Sequence, residues 1–92
     1  MTDPKFSIII PCYNAEKWIS QSVESALGQS YENIEVIAID NESTDNSFSV
    51  ISDLQKKHPS LKIGSVPNLY PYAWTEPVDE ALKRASGDYF TI

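Results

Sequence analysis

Short apolar runs and amphipathic stripes take turns along this chain, and no other feature narrows its folding choices so far. Residues 6–10 (Phe-Ser-Ile-Ile-Ile) are nearly all apolar and β-branched, and residues 34–39 (Ile-Glu-Val-Ile-Ala-Ile) repeat the pattern. Runs of this length suit strands buried on both faces, as parallel strands are. Between them the apolar period changes. Ala15, Ile19, Val23, Ala26 and Leu27 fall on one helical stripe, with Asn14 placed to cap its start and Gly28 near its end. Phe48, Ile51 and Leu54 form a second helical face; Lys56, Lys57 and His58 suit the dipole at its end, and Pro59 prevents continuation. Residues 61–66 predict a third strand. Val78, Ala81, Leu82 and Ala85 give a third stripe, with Thr75 as its cap, Pro77 tolerable in the first turn and Gly87 past its end; residues 88–92 begin a fourth strand.

Strand and helix alternating in this way imply right-handed crossovers onto a parallel sheet with helices on both faces, a Rossmann-like α/β fold. Ligands of such sheets sit beyond the carboxyl ends of the strands. The loops at residues 11–14, 40–45 and 67–74 each follow a predicted strand, so all three should crowd one edge. A chain of 92 residues buries about 60–65% of the surface its unfolded form exposes, enough for one core and too little for a two-lobed enzyme. The last apolar segment stops without a polar tail, so residues 1–92 are read as one unit truncated at its C-terminus.

Charge and cysteine content remove several functions. Thirteen Asp and Glu against seven Lys and Arg leave a formal net charge of −6, which argues against a broad contact with a nucleic-acid backbone. The single cysteine, Cys12, makes neither an internal disulfide nor a cysteine zinc cage. No apolar run approaches the roughly 18 to 20 residues of a membrane-spanning helix, and the first residues lack signal-peptide character, so a cytoplasmic protein without a membrane span is expected.

The turn after the first strand decides against the commonest nucleotide sites. Dinucleotide and Walker loops need glycines there, and the only glycines are Gly28, Gly64 and Gly87. Cys12 lacks the companions of a nucleophile: a phosphatase loop would place Arg where Trp18 stands, and a thioredoxin-like site a second cysteine where Ala15 stands. It reads as a small buried residue, and His58 as a solvated helix cap. Tyr13 and Asp40 remain, one at the end of each of the first two strands. A carboxylate only accepts hydrogen bonds and so suits a uracil N–H or ribose hydroxyls, while a tyrosine face can stack on a base. Together they suit a nucleoside. Each also has a plain structural reading: Tyr13 covering a helix start, Asp40 binding loop amides, and Asp45 capping the second helix.

Residues 6–16 (Phe-Ser-Ile-Ile-Ile-Pro-Cys-Tyr-Asn-Ala-Glu), Gln21-Ser22-Val23, residues 29–37, the Asp-Asn-Glu-Ser-Thr-Asp run at 40–45 and Ala85-Ser86-Gly87-Asp88-Tyr89 together resemble the amino-terminal part of a family 2 glycosyltransferase with the GT-A fold. The resemblance implies transfer of a sugar from a nucleotide-sugar donor to an acceptor, with inversion at the anomeric carbon. A UDP-sugar is the expected donor; the acceptor, whether glycan, lipid-linked or protein, stays open. By the same resemblance Pro11, Tyr13 and Asp40 line the nucleoside pocket. Asp45 matches the second acidic position of the Asp-x-x-Ser-x-Asp segment, as a cap or a ligand contact.

Two departures stand out. The family often has Asp-Asp-Gly-Ser where this chain has Asp40-Asn41-Glu42-Ser43, and Asn41 is expected to supply any positive φ that the lost glycine supplied. An Arg-Asn pair near the diphosphate is replaced by Val78-Asp79, so no phosphate-binding arginine is assigned. The family's metal-binding Asp-x-Asp and its catalytic base would lie beyond Ile92, so manganese or magnesium is expected only in the full-length parent and the 92 residues alone are expected to be inactive. The competing reading is a non-catalytic nucleotide-binding or structural α/β module. A strand left at the end of a sheet also predicts self-association through its exposed edge.

Overall fold

The computed structural model describes residues 4–67, 75–87 and 89–91. Its elements alternate as β1 (Phe6–Cys12), α1 (Ile19–Leu27), β2 (Ile34–Asp40), α2 (Ser47–Lys57), β3 (Lys62–Ser65), α3 (Thr75–Arg84) and β4 (Tyr89–Thr91). The four strands form one all-parallel sheet in the order β3-β2-β1-β4, the Rossmann-like arrangement that the alternation predicts. Chain direction across the sheet reverses between β1 and β4. Such a reversal opens a crevice at the carboxyl ends of the strands, where ligands of open α/β sheets bind.

β2 is buried on both faces, and the alternation of its side chains divides the core between them. Val36 and Ala38 point to the side where Ile19, Val23, Ala26, Ile51, Leu54 and Leu61 pack, beneath α1 and α2. Ile37 and Ile39 join Ile9 and Ala81 on the other side, beneath α3. Ile9, Ile37 and Ile39 are fully buried, so the middle of the sheet is the rigid platform of the molecule.

Three helical faces differ in detail from the sequence pattern. Phe48 is 40% exposed and Leu82 38% exposed; Ser47 and Pro77 take the buried positions one helical face away. In α2 the inward row is therefore Ser47, Ile51 and Leu54, an i, i+4, i+7 set that leaves Phe48 turned aside by about 100°. The third correction concerns α1, which starts at Ile19 after a turn in which Ala15 O accepts from the amides of Trp18 and Ile19 at 2.9 and 2.8 Å. Asn14 does not cap it, because its side chain is engaged elsewhere.

Pro11 lies inside β1, opposite Ile39, rather than ending the strand. Phe6 N–H donates to Asn33 O, and Cys12 O accepts from Asn41 N–H, so the even-numbered residues of β1 bond toward β2. The odd-numbered ones, Pro11 among them, face β4, whose described pairing reaches only Ile8. The missing N–H of Pro11 thus removes no bond from the β1–β2 ladder.

A buried charge ties the amino-terminal end of the sheet together. Glu35 on β2 has a side chain only 6% exposed; it accepts from Ser7 Oγ at 2.9 Å, Ser86 N–H at 2.7 Å, Ser86 Oγ at 3.0 Å and Lys62 Nζ at 2.9 Å, with Lys5 Nζ at 3.5 Å. Gly87 N–H donates in turn to Ser7 Oγ at 3.0 Å. The segment leaving α3 is thereby clasped to β1, β2 and β3 just before it enters β4. Burial pushes the Glu35 carboxyl up, but the bonds from Ser86, Lys62 and Ser7 outweigh it and hold the pKa at about 2.

His58 forms the C-cap of α2, its N–H donating to Leu54 O at 2.7 Å. It is half-buried rather than solvated, and its Nε2 is enclosed without a hydrogen-bond partner among the described residues.

Candidate functional site

Cys12 and Asp40 are register partners at the carboxyl ends of β1 and β2, and Asn41 N–H donates to Cys12 O at 2.8 Å. The first two loops therefore leave the sheet side by side, and from there they are bonded to each other. Asn14 N–H donates to Ser43 Oγ at 2.9 Å. Asn14 Oδ1 accepts from the Thr44 amide at 2.8 Å, the Thr44 hydroxyl at 3.2 Å and the Asp45 amide at 3.3 Å. One residue further on, Ala15 N–H donates to Ser47 Oγ at 2.8 Å, and Glu16 N–H to Asp45 Oδ2 at 3.3 Å.

Of the residues singled out in the sequence, Asp40 is 3% exposed and sits where β2 ends. Ser43 holds it: the Ser43 amide donates to Oδ2 at 3.0 Å and the Ser43 hydroxyl to Oδ1 at 2.5 Å. Each carboxylate oxygen has two acceptor positions, so these bonds use half of the capacity of the group. Tyr13, directly beyond β1, is 40% exposed. Pro11 lies within β1, two residues before Tyr13.

Asp45 serves the fold through both oxygens. Its Oδ1 accepts from the Ser47 amide at 2.9 Å and the Ser47 hydroxyl at 2.5 Å, which satisfies a donor at the start of α2, while Oδ2 takes the Glu16 amide. Burial pushes its carboxyl up, and the Ser47 and Glu16 bonds more than offset this, leaving it below the usual carboxylate range. Beside it opens a cavity of about 230 Å³ lined by Asn14, Glu16, Lys17, Trp18 and Asp45.

The positive φ expected at Asn41 falls instead on Glu42, at 51°. Asn41 is still held to β1 through its amide, so the chain turns one residue later, at the position where the family often has glycine. A glutamate there bears about 1–2 kcal/mol of backbone strain. Among the described residues, Asn14 is the other positive-φ residue outside glycine, at 50°.

Cys12 is 1% exposed, and its thiol is pushed up by burial, with a Ser47 hydrogen bond acting against that and the charges of Asp40 and Asp45 adding to it. A buried thiol of raised pKa is a poor nucleophile, which matches its reading as a core residue. The third loop, residues 68–74, lies outside the described residues, so its place at this edge is not part of the observed geometry. Val78 packs partly buried against the Ile9, Ile37 and Ile39 cluster, and Asp79 is exposed.

Sequence reasoning missed three contributors. Asn14 stands within the quoted motifs as a helix cap, Ser43 as the serine of the Asp-x-x-Ser-x-Asp segment with no role assigned to it, and Ser47, fully buried, carries no signal beyond its position before an apolar stripe.

This two-loop edge can be compared with known proteins. The profile of the family described as "Glycosyl transferase family 2" matches residues 7–92. The chain belongs to that family. An uncharacterized glycosyltransferase of Haemophilus influenzae is 41% identical over 92 residues, covering all of this chain and 36% of that protein. Among solved structures, the mannosyltransferase PcManGT from Pyrobaculum calidifontis, in complex with GDP-Man and Mn2+, matches with a TM-score of 0.77 at 26% identity, over 95% of this chain and 26% of that one. S. aureus TarS 1-349 in complex with UDP matches with a TM-score of 0.73 at 29% identity, over 95% and 26% respectively. The sheet is therefore that of a GT-A glycosyltransferase, and the chain spans about a quarter to a third of the length of these three proteins.

The metal seen in one of these neighbours finds no matching donor set here. Among the described residues no three His, Cys, Asp or Glu side chains gather as a cation site, and the sequence contains no Asp-x-Asp. No helix among the described residues is long and apolar enough to cross a membrane.

Proposed function

We infer that these residues form the nucleoside-binding part of a family 2 glycosyltransferase that transfers a sugar, with inversion, from a UDP-sugar donor at the cytoplasmic side of the cell. The observation that carries this reading is that Asp40 ends β2 in register with Cys12, the residue before Tyr13, where the two loops that follow are bonded into one rim. In this reading Asp40, steadied by Ser43, accepts the N3–H of uracil, Tyr13 covers the face of the base, and Pro11 sets the height of Tyr13 above the sheet. Asp45 contributes indirectly by holding both loops, with its cavity beside the ribose. The acceptor is a glycan, a lipid-linked sugar or a protein.

The cation that neutralises the leaving diphosphate, manganese or magnesium, and the base that deprotonates the acceptor are assigned to other parts of the parent enzyme. The 92 residues alone form one incomplete domain that binds the donor without turning it over. With Val78-Asp79 in place of an Arg-Asn pair, the start of α3 offers the diphosphate no arginine, so binding rests on the nucleoside.

Titration of the chain with UDP and UMP by chemical-shift perturbation tests the reading. Tyr13→Ala, at an exposed position, is expected to weaken UDP binding about 5- to 150-fold, the range of one base–aromatic stack. Asp40→Asn, which keeps the shape but replaces one acceptor oxygen by a donor, is expected to weaken it at least tenfold. A folded wild-type chain that binds neither nucleotide, or that turns over a UDP-sugar in the presence of manganese, would contradict the proposal.

Self-association belongs to the same proposal. The outer edge of β4 has no described partner strand, and its Tyr89 and Phe90 are 60% and 54% exposed. Unpaired edges of this kind pair with further strands. Sedimentation velocity over a hundredfold range of concentration is expected to show a rising mean mass; a constant monomer would remove this assignment.

A further inference from the structure

We propose that Asn14 is a positioning residue of the donor site: its backbone and side chain together set the loop after β2, and through Ser43 they orient the Asp40 carboxylate. This rests on the nucleoside reading given above. The connection is a continuous chain of donors and acceptors. Asn14 N–H donates to Ser43 Oγ, and the same hydroxyl spends its own proton on Asp40 Oδ1, so the first loop fixes the rotation of a carboxylate carried by the second. Ser43 N–H holds the other oxygen. With both oxygens located, the remaining acceptor positions on Asp40 point in set directions.

The side chain of Asn14 anchors the same loop from a second point. Its Oδ1 receives the amides of Thr44 and Asp45 and the hydroxyl of Thr44, three donors on one oxygen. Only a short side chain with a carbonyl-type acceptor does this from a backbone at φ 50°, a region that Asn tolerates better than most residues. Strain held at a residue that organises two loops is the pattern associated with preorganised sites. Asn14 itself need not touch the ligand. Its effect is to remove the cost of ordering the rim when the nucleotide arrives.

Two substitutions separate the backbone from the acceptor. Asn14→Gly keeps the left-handed conformation and the N–H bond to Ser43 but deletes the acceptor, whereas Asn14→Asp keeps the acceptor. Amide hydrogen exchange at Ser43, Thr44 and Asp45 and UDP affinity are measured for both, with the global unfolding midpoint as a control.

The expected result for Asn14→Gly is exchange at least tenfold faster at Thr44 and Asp45, UDP binding at least tenfold weaker and an unfolding midpoint close to the wild type. Asn14→Asp is expected to restore slow exchange. Wild-type UDP affinity in Asn14→Gly overturns the proposal, whether or not exchange accelerates, and so does unchanged exchange at Thr44 and Asp45. In both cases the donor-site reading stands, because the wild-type chain still binds. A folded wild-type chain that binds no UDP fails one level earlier, and the positioning role falls with the site it serves.

Discussion

Replacing Glu35 by alanine is expected to remove about 3 kcal/mol of stability at neutral pH, measured by urea unfolding. Two arguments arrive at this figure. A carboxyl held at about 2 when its ordinary value is 4.5 is stabilised in the folded state by about 3 kcal/mol. Independently, removing one partner of a buried, hydrogen-bonded ion pair costs about 3–5 kcal/mol. The lower figure fits here because Lys62, with its side chain 41% exposed, can turn to solvent when the carboxylate is gone. The Ser86 amide and the Ser7 hydroxyl lose their acceptor. For a domain whose total stability is on the order of 5–14 kcal/mol, this is a substantial fraction.

The same interaction fixes a pH dependence. The folded state holds Glu35 ionised down to about pH 2, whereas the unfolded chain protonates it near 4.5, so the unfolded state binds more protons between those values. Stability from Glu35 is then complete above about pH 5 and is lost as the pH falls toward 2. Asp45 and Glu80 are also held below the carboxylate range. Burial of Asp45 acts against its bonds from Ser47 and Glu16, and Glu80 is lowered first by its hydrogen bond from Arg84. Both titrate in wild type and variant alike. The difference between wild-type and Glu35→Gln unfolding curves from pH 5 to 2 therefore isolates Glu35, and parallel curves would show that the clasp contributes nothing.

Gly87→Ala is the second large effect, expected at about 2–3 kcal/mol of destabilisation. A Cβ at this position would lie 2.4 Å from Ser7 Oγ, 2.9 Å from Ser7 N and 3.0 Å from Lys5 O. Ser7 Oγ can rotate only by leaving Glu35, and the other two are backbone atoms, one in β1 and one in the residue just before it. The chain must shift at the entry to β4, which places the cost at the upper part of the range for overpacking. A midpoint within a degree or two of wild type in thermal unfolding would mean that the segment moves aside freely. Because β4 is only three residues long, its pairing with β1 is also expected to weaken, visible as faster amide exchange at Tyr89.

The alternation of strands and helices was legible because it is written locally: β-branched runs and helical stripes declare themselves within a few residues. The end of the sheet at which the first two loops meet followed from topology alone. What local pattern could not supply was the partner of each polar side chain. Asn14 has the sequence context of a helix cap, yet it bonds residues thirty positions away, and tertiary partners outcompete the cap. Glu35 reads as one charged residue interrupting an apolar strand. Its acceptors become meaningful only when Ser7, Lys62 and Ser86, 28, 27 and 51 positions distant, arrive around it. The Glu42 turn was placed one residue early for a similar reason, since nothing in the tetrapeptide reveals that Asn41 stays bonded to β1. Ser86 and Gly87 contributed to the family resemblance, and the structure gives them a docking task against β1 and β2.

Along β1 and β2, the clasp at Ser7 and Glu35 stands five residues from the strand ends at Cys12 and Asp40, about 17 Å away. Groups so far apart that share no partners contribute independently, so their free energies add. If the rim holds the nucleoside as proposed, it can be re-cut for a different base or sugar while the opposite end of the sheet keeps the chain folded, and a loss of stability at one end leaves the affinity at the other unaltered until unfolding itself begins.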